Sequence, residues 1–308
     1  HYAQIAPAAP HALHMPSHIF ARLGMWRESI DSNLASLAAA EEASRSGLED
    51  GSGDSLHAMM YLSYSYFQSG QDEEARQVAR RIPLVPGATA HDIVNNLAIM
   101  EAVGAVETHD WKQAATLAAR PDAFPYARVR TYWARAIGAA HNGDLQAARQ
   151  NLEKLDEARA GMLSYMRSVE VQMHMGHSGH SDVSVQQLEA RAWIAWAEGR
   201  SAEALEMMRA ATQKEELFGV ESRTVPAYEM LGDLLIEMGQ PKSAGAAYEA
   251  TLKEAPGRLN ALAGAARASR ALGDWAATRR YYGMLVNCCS PVATRAELAE
   301  AKLFLSFP

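Results

Sequence analysis

Three histidines fall within eight residues in PHALHMPSHIF, residues 10–20 of the chain. His14 and His18 are four apart, so on a helix their imidazoles share one face. Imidazole nitrogens are ligands that zinc and copper accept, and His11 is a spare candidate. Pro16 lies between the pair; it removes a helical donor and biases Met15 away from helix. If the helix begins at Pro16, His14 lies outside it and the shared face is lost. Such a start leaves only about two turns before Gly24, so a kinked helix that keeps both histidines together is the expectation. The plain alternative is polar lining, because an imidazole can hydrogen-bond a carbonyl with no metal present, and the glutamate of an HExxH motif is missing.

A second cluster, QMHMGHSGHSD at 172–182, alternates thioether and imidazole, ligands that suit cuprous ion. Its glycines and serines predict a mobile loop, for which an adventitious solvated histidine tract is the rival reading. The two cysteines, Cys288 and Cys289, are adjacent. Neighbours on one chain make a poor staple, which leaves reactive vicinal thiols or two small apolar side chains at a helix end. There is no GxGxxG, Walker loop, GxSxG elbow or HExxH, and DGSGDS near residue 50 is a linker by composition. Net charge is −7 and the pI about 5.9, with no stripe of Lys and Arg. That argues against nucleic acid as a partner. No apolar run reaches the ~20 residues of a membrane span.

The elements that must position these residues are helices. The chain is alanine-rich and 48% hydrophobic with 12 prolines, a composition that favours helix throughout. YEMLGDLLIEMGQPKSAGAAYEATLKEAP, Tyr228 to Pro256, reads aromatic-x2-Leu-Gly-x2-Leu, then Gly, then Ala-x3-aromatic, ending in Pro. It resembles the tetratricopeptide repeat, a helix–turn–helix unit of 34 residues. Gly232 and Ala244 are small where paired helices cross, Leu231, Leu235 and Tyr248 share a face, and Gly239 with Pro241 breaks the chain between the helices. The HALHMPSHIF segment is similar to one in a bacterial subgroup of these proteins.

The turn glycine can be followed along the chain at Gly24, Gly70, Gly143, Gly199, Gly239 and Gly273, with His109 standing in for it in THDWKQAA. Successive turns are 46, 39, 34, 56, 40 and 34 residues apart. The expected fold is therefore all-α, a tetratricopeptide-type solenoid of about seven hairpins wound as a right-handed superhelix in one domain, 1–308. Its best repeats lie in 185–286, with polar insertions at 44–55 and 174–184. Each hairpin would be stabilised by the neighbour it stacks on. Residues 1–9 read as the tail of an upstream repeat. The location expected is cytoplasmic, an export signal in missing upstream sequence being the open alternative.

The resemblance implies a concave groove lined by the first helix of each pair, and a protein or peptide ligand in it. By register it places His14 and His18 on the wall of the first hairpin and His57, Met60, Tyr64 and Phe67 at matching places on the second. A third imidazole from the adjacent helix would complete a zinc or copper site of His14, His18 and His57. The same register puts Trp133, Glu189, Trp193, Trp196, Asp233 and Arg267 on the groove, the tryptophans as anchors or as packing between hairpins. Two functions follow: a protein- or peptide-binding scaffold, or a metal-binding protein or metalloenzyme with its site in the N-terminal hairpins. An uncapped solenoid end could also self-associate.

Overall fold

A computed structural model describes residues 6, 8–47, 50–173, 184–218 and 224–307. All regular structure among them is helical, and none of their helices is long and apolar enough to cross a membrane. The chain divides into two compact units, 1–93 together with 235–308, and 94–234.

Seven turns share one construction. The residues at 24, 70, 109, 143, 199, 239 and 273 all have positive φ, from 52° to 79°. In each, the next amide donates to the carbonyl five positions before it, from Met25 to Phe20 at 2.9 Å through Asp110 to Ala105 at 2.9 Å to Asp274 to Ser269 at 3.0 Å. This is the Schellman closure, which satisfies a carbonyl that the ending helix leaves open. Glycine reaches that conformation without strain, whereas His109, at φ 52°, is the non-glycine exception among the described residues and gives up about 1–2 kcal/mol for it. Asp110, Asp144 and Asp274 then cap the second helix, accepting from the amides of Gln113, Ala147 and Ala277 at 3.0, 3.0 and 2.9 Å.

Unit 1 starts with α1 (Pro10–His14), α2 (Pro16–Leu23) and α3 (Trp26–Arg45), followed by α4 (Ser52–Gln68) and α5 (Asp72–Arg81). The stretch expected as a polar insertion at 44–55 is helical at both ends, since α3 runs to Arg45 and α4 starts at Ser52. A Cβ on Gly51 would lie 2.5 Å from the Ala40 carbonyl oxygen and 2.7 Å from Ser44 Oγ, so the small residues let α4 start hard against α3.

The unit is completed by α13 (Pro241–Glu254), α14 (Leu259–Ala271), α15 (Trp275–Cys288) and α16 (Ala296–Leu305), which pack on the N-terminal hairpins. Trp26, 2% exposed, donates through Nε1 to the Gly257 carbonyl at 2.8 Å. Backbones touch there: a Cβ on Gly24 would sit 2.5 Å from Gly257 Cα. Arg258 donates to the Tyr64 hydroxyl at 3.0 Å, Leu259 N to Gln68 Oε1 at 3.2 Å, and Arg295 Nε to both Asp72 oxygens at 2.8 and 2.9 Å.

Unit 2 is built on α6 (Ala90–Glu107), whose first turn belongs to unit 1, α7 (Trp111–Thr116), α8 (Pro125–His141), α9 (Leu145–Met173), α10 (Ser184–Ala197) and α11 (Ser201–Phe218), with the start of α12 (Ala227–Glu237). Alanine lets α8, α9 and α10 approach closely; Ala127, Ala134, Ala136, Ala148, Ala190 and Ala192 are all fully buried. Most of the 172–182 histidine and methionine cluster, and of the expected insertion at 174–184, lies outside the described residues; Ser184 begins α10.

Candidate metal centre

The centre is assembled from one broken helix and its neighbour. Pro16 interrupts the ladder between α1 and α2, yet Met15 keeps helical angles, φ −51° and ψ −37°. Met15 N donates to His11 O at 3.0 Å and His18 N to Met15 O at 3.3 Å, so the chain turns on through the proline as a kink. His14 and His18 therefore keep one face, and their Nε2 atoms lie 3.0 Å apart. From α4, His57 faces them, its ring centroid 4.5 Å from that of His14 and 6.2 Å from that of His18.

One ligand atom from each of His14, His18 and His57 lies within 4.8 Å of the others. Nitrogens bound at about 2.0–2.1 Å around a tetrahedral ion stand about 3.4 Å apart, a spacing the three imidazoles bracket. His14 is buried, 1% exposed, while His18 and His57 are half-buried. His11 is exposed, with its ring 6.1 Å from that of His14, and is not part of the group.

Two residues that the sequence reading passed over hold this set in place. Asn33 of α3, fully buried, has Oδ1 2.7 Å from His14 Nδ1, and its Nδ2 donates to the Ser29 carbonyl at 2.7 Å. Tyr61 of α4 has its hydroxyl 2.9 Å from His18 Nδ1. Its ring centroid lies 4.8, 4.7 and 5.4 Å from those of His14, His18 and His57. Both left a sequence signal. Tyr61 is four residues beyond His57 and so on its face of α4, and Asn33 belongs to a polar stripe, Ser29–Asn33–Ser36, on an alanine-rich helix.

The other expected binding residues fall elsewhere. In unit 1, Tyr64 packs against Trp26 at 5.8 Å and bonds Arg258, leaving it 8% exposed. Arg267 is exposed and faces Glu297 at 3.6 Å.

In unit 2, Trp133, Glu189 and Trp193 are packed inside at 1%, 0% and 3% exposure. Trp133 Nε1 donates to Glu189 Oε2 at 2.8 Å. Burial, with the charge of Glu215 added, raises the Glu189 carboxyl well above the usual range, a shift that favours the neutral acid. Trp193 lies against His141 at 4.3 Å, and His141 stacks on Trp111 at 4.0 Å. Desolvation, helped by nearby His109, pushes His141 down to about 4. Trp196 and Asp233 are half-buried, Asp233 lying 3.7 Å from His109 Nε2.

Cys288 and Cys289 are free thiols with sulfurs 3.8 Å apart; Cys288 ends α15, and Cys289 points at the Gln68 carbonyl at 3.8 Å.

Residues 225–257 match the family model of the tetratricopeptide repeat. The chain thus carries one segment that matches that repeat, and the turn inside it at Gly239 is built like the other six. Among solved structures it is similar to a tetratricopeptide repeat protein from Parabacteroides merdae, at 12% identity over 96% of this chain and 97% of that one, with a TM-score of 0.45. It is also similar to the P58(IPK) TPR domain, at 15% identity over 99% and 90% with a TM-score of 0.33. Yeast Tom70 is matched at 12% identity over 90% of this chain and 60% of that one, with a TM-score of 0.44. A search of curated protein sequences finds no match.

Proposed function

We propose that this protein binds one first-row transition-metal ion, zinc or copper, through His14, His18 and His57. The observation that supports the reading is the convergence of three imidazoles, drawn from α1, α2 and α4, within 4.8 Å. Buried polar groups are ordinarily satisfied in pairs; three lone-pair donors that meet at one point suit a cation better than they suit each other. The donor set is all nitrogen, which favours zinc or copper over magnesium or calcium. The test is metal titration of protein purified without a histidine tag, followed by elemental analysis after gel filtration. One tightly held zinc or copper ion per chain is expected in the wild type and none in His14→Ala/His18→Ala. Equal, near-zero metal in both overturns the reading.

A second reading is retained because of the matched repeat at 225–257: binding of a protein or peptide by the hairpins. In unit 2, Trp196 and Asp233 keep part of their surface open and are the residues that would touch such a ligand, whereas Trp133, Glu189 and Trp193 would have to be unpacked first. Trp196→Ala is therefore the discriminating variant. It should weaken partner capture at unchanged helical content; capture indifferent to it removes Trp196 from the role.

A further inference from the structure

The bonds around the histidines have a direction, and Asn33 sets it. Its Nδ2 donates to the Ser29 carbonyl at 2.7 Å, so the atom it turns to His14 is Oδ1, which can only accept. His14 must carry its proton on Nδ1, which leaves a bare lone pair on Nε2. His18 Nε2 stands 3.0 Å from that lone pair and, in the ion-free protein, is a bond only if His18 carries its proton there. In its neutral form His18 then has Nδ1 bare, and the Tyr61 hydroxyl, 2.9 Å away, donates to it. With both imidazoles neutral, the result is a one-way relay, Tyr61 to His18 to His14 to Asn33 to the Ser29 carbonyl.

An ion cannot enter that relay unchanged. It needs the lone pairs of both Nε2 atoms, which His14 already presents and His18 does not. His18 must exchange its Nε2 proton for one on Nδ1, with solvent carrying the proton between them and no net change in charge. Once the proton is on Nδ1, the Tyr61 oxygen faces a donor, and its own hydrogen rotates away. Metal-bound histidines commonly hold their second N–H in a bond of this kind, and loss of that partner typically costs ~10–100-fold in metal affinity.

We propose that Asn33 and Tyr61 are the positioning residues of the centre, Asn33 locking His14 as an Nε2 ligand and Tyr61 reversing its hydrogen bond to His18 from donor to acceptor as the ion binds. This rests on the metal reading above, but its first half concerns the ion-free protein and is tested separately.

The measurement is the nitrogen-15 shift of the imidazoles, which reports which ring nitrogen is protonated, followed through a zinc titration. In the ion-free wild type, His14 is expected as the Nδ1–H tautomer and His18 as Nε2–H; zinc should convert His18 to Nδ1–H and leave His14 unchanged. Asn33→Leu should mix the His14 tautomers and weaken zinc by ~10–100-fold, Asn33→Asp, which keeps the acceptor toward His14 but loses the bond to the Ser29 carbonyl, should restore the Nδ1–H tautomer, and Tyr61→Phe should weaken zinc by about tenfold with His14 unaffected. Circular dichroism on each variant separates loss of fold from loss of positioning.

His14 found as Nε2–H, zinc bound with no change at His18, or Asn33→Leu holding zinc as tightly as wild type would each overturn the proposal. A wild type that takes up no zinc or copper overturns the metal reading instead, and with it the reversal at Tyr61.

Discussion

Both units bury histidine beside aromatic rings, and they do so to opposite effect. In unit 2, His141 lies between Trp111, at 4.0 Å, and Trp193, at 4.3 Å, a flat ring among flat rings, and desolvation pushes it down to about 4. It contributes surface to a packed core and stays neutral. In unit 1, His14 is buried more deeply than the half-buried His141, and its two nitrogens are given separate tasks, Nδ1 against Asn33 Oδ1 at 2.7 Å and Nε2 toward His18 at 3.0 Å. Burial of a histidine is therefore uninformative by itself. What distinguishes a site is several lone pairs aimed at one place, held there by partners that are themselves fixed.

That contrast can be broken experimentally, the largest effect first. Trp193→Ala removes a large buried ring, and the cost expected is about 3–5 kcal/mol of stability by chemical denaturation, with metal affinity at the histidines untouched. A matching loss of metal affinity would contradict the separation of roles.

His141 gives the next effect. Because burial depresses its pKa from 6.5 to about 4, it does not oppose folding above pH 6.5, and stability is lost as pH falls from there through about 4, in all about 3 kcal/mol. His141→Phe should flatten that part of the acid-unfolding profile. An unchanged profile would place His141 in water rather than between the rings.

Glu189 has the opposite sign. Its raised pKa means that its contribution is fully present below about 4.5, the ordinary carboxyl value, and lost as pH rises through the folded one. Glu189→Gln keeps the shape and the bond from Trp133, so it should raise Tm at neutral pH and leave it unchanged near pH 4. A lower Tm at neutral pH would mean that the ionised carboxylate is the form the core prefers.

The turns were open to sequence reading because one backbone conformation recurs and few residues adopt it. Glycine marks six of the seven, and His109 was found through the THDWKQAA pattern despite lacking the freedom of glycine. The histidine trio was legible for a related reason: four-residue spacing fixes a face, and repeat register fixes which face meets the neighbouring helix.

Register does not say whether a face stays open. Trp133, Glu189 and Trp193 fall inside unit 2, and Tyr64 lies beneath Trp26 and Arg258. The bonds Trp26–Gly257 and Arg258–Tyr64 join residues 231 and 194 positions apart, and a repeat pattern that describes neighbours cannot foresee them. Asn33 was missed because its meaning depends on which ring nitrogen it faces, and only coordinates supply that.

X-ray absorption at the zinc edge, on tag-free protein loaded with one equivalent, reads the central claim directly. Convergence of His14, His18 and His57 predicts three imidazole nitrogens at about 2.0–2.1 Å, with the imidazole pattern lost in His14→Ala/His18→Ala. An all-oxygen shell, or the same shell in wild type and variant, would show that the three rings meet without holding an ion.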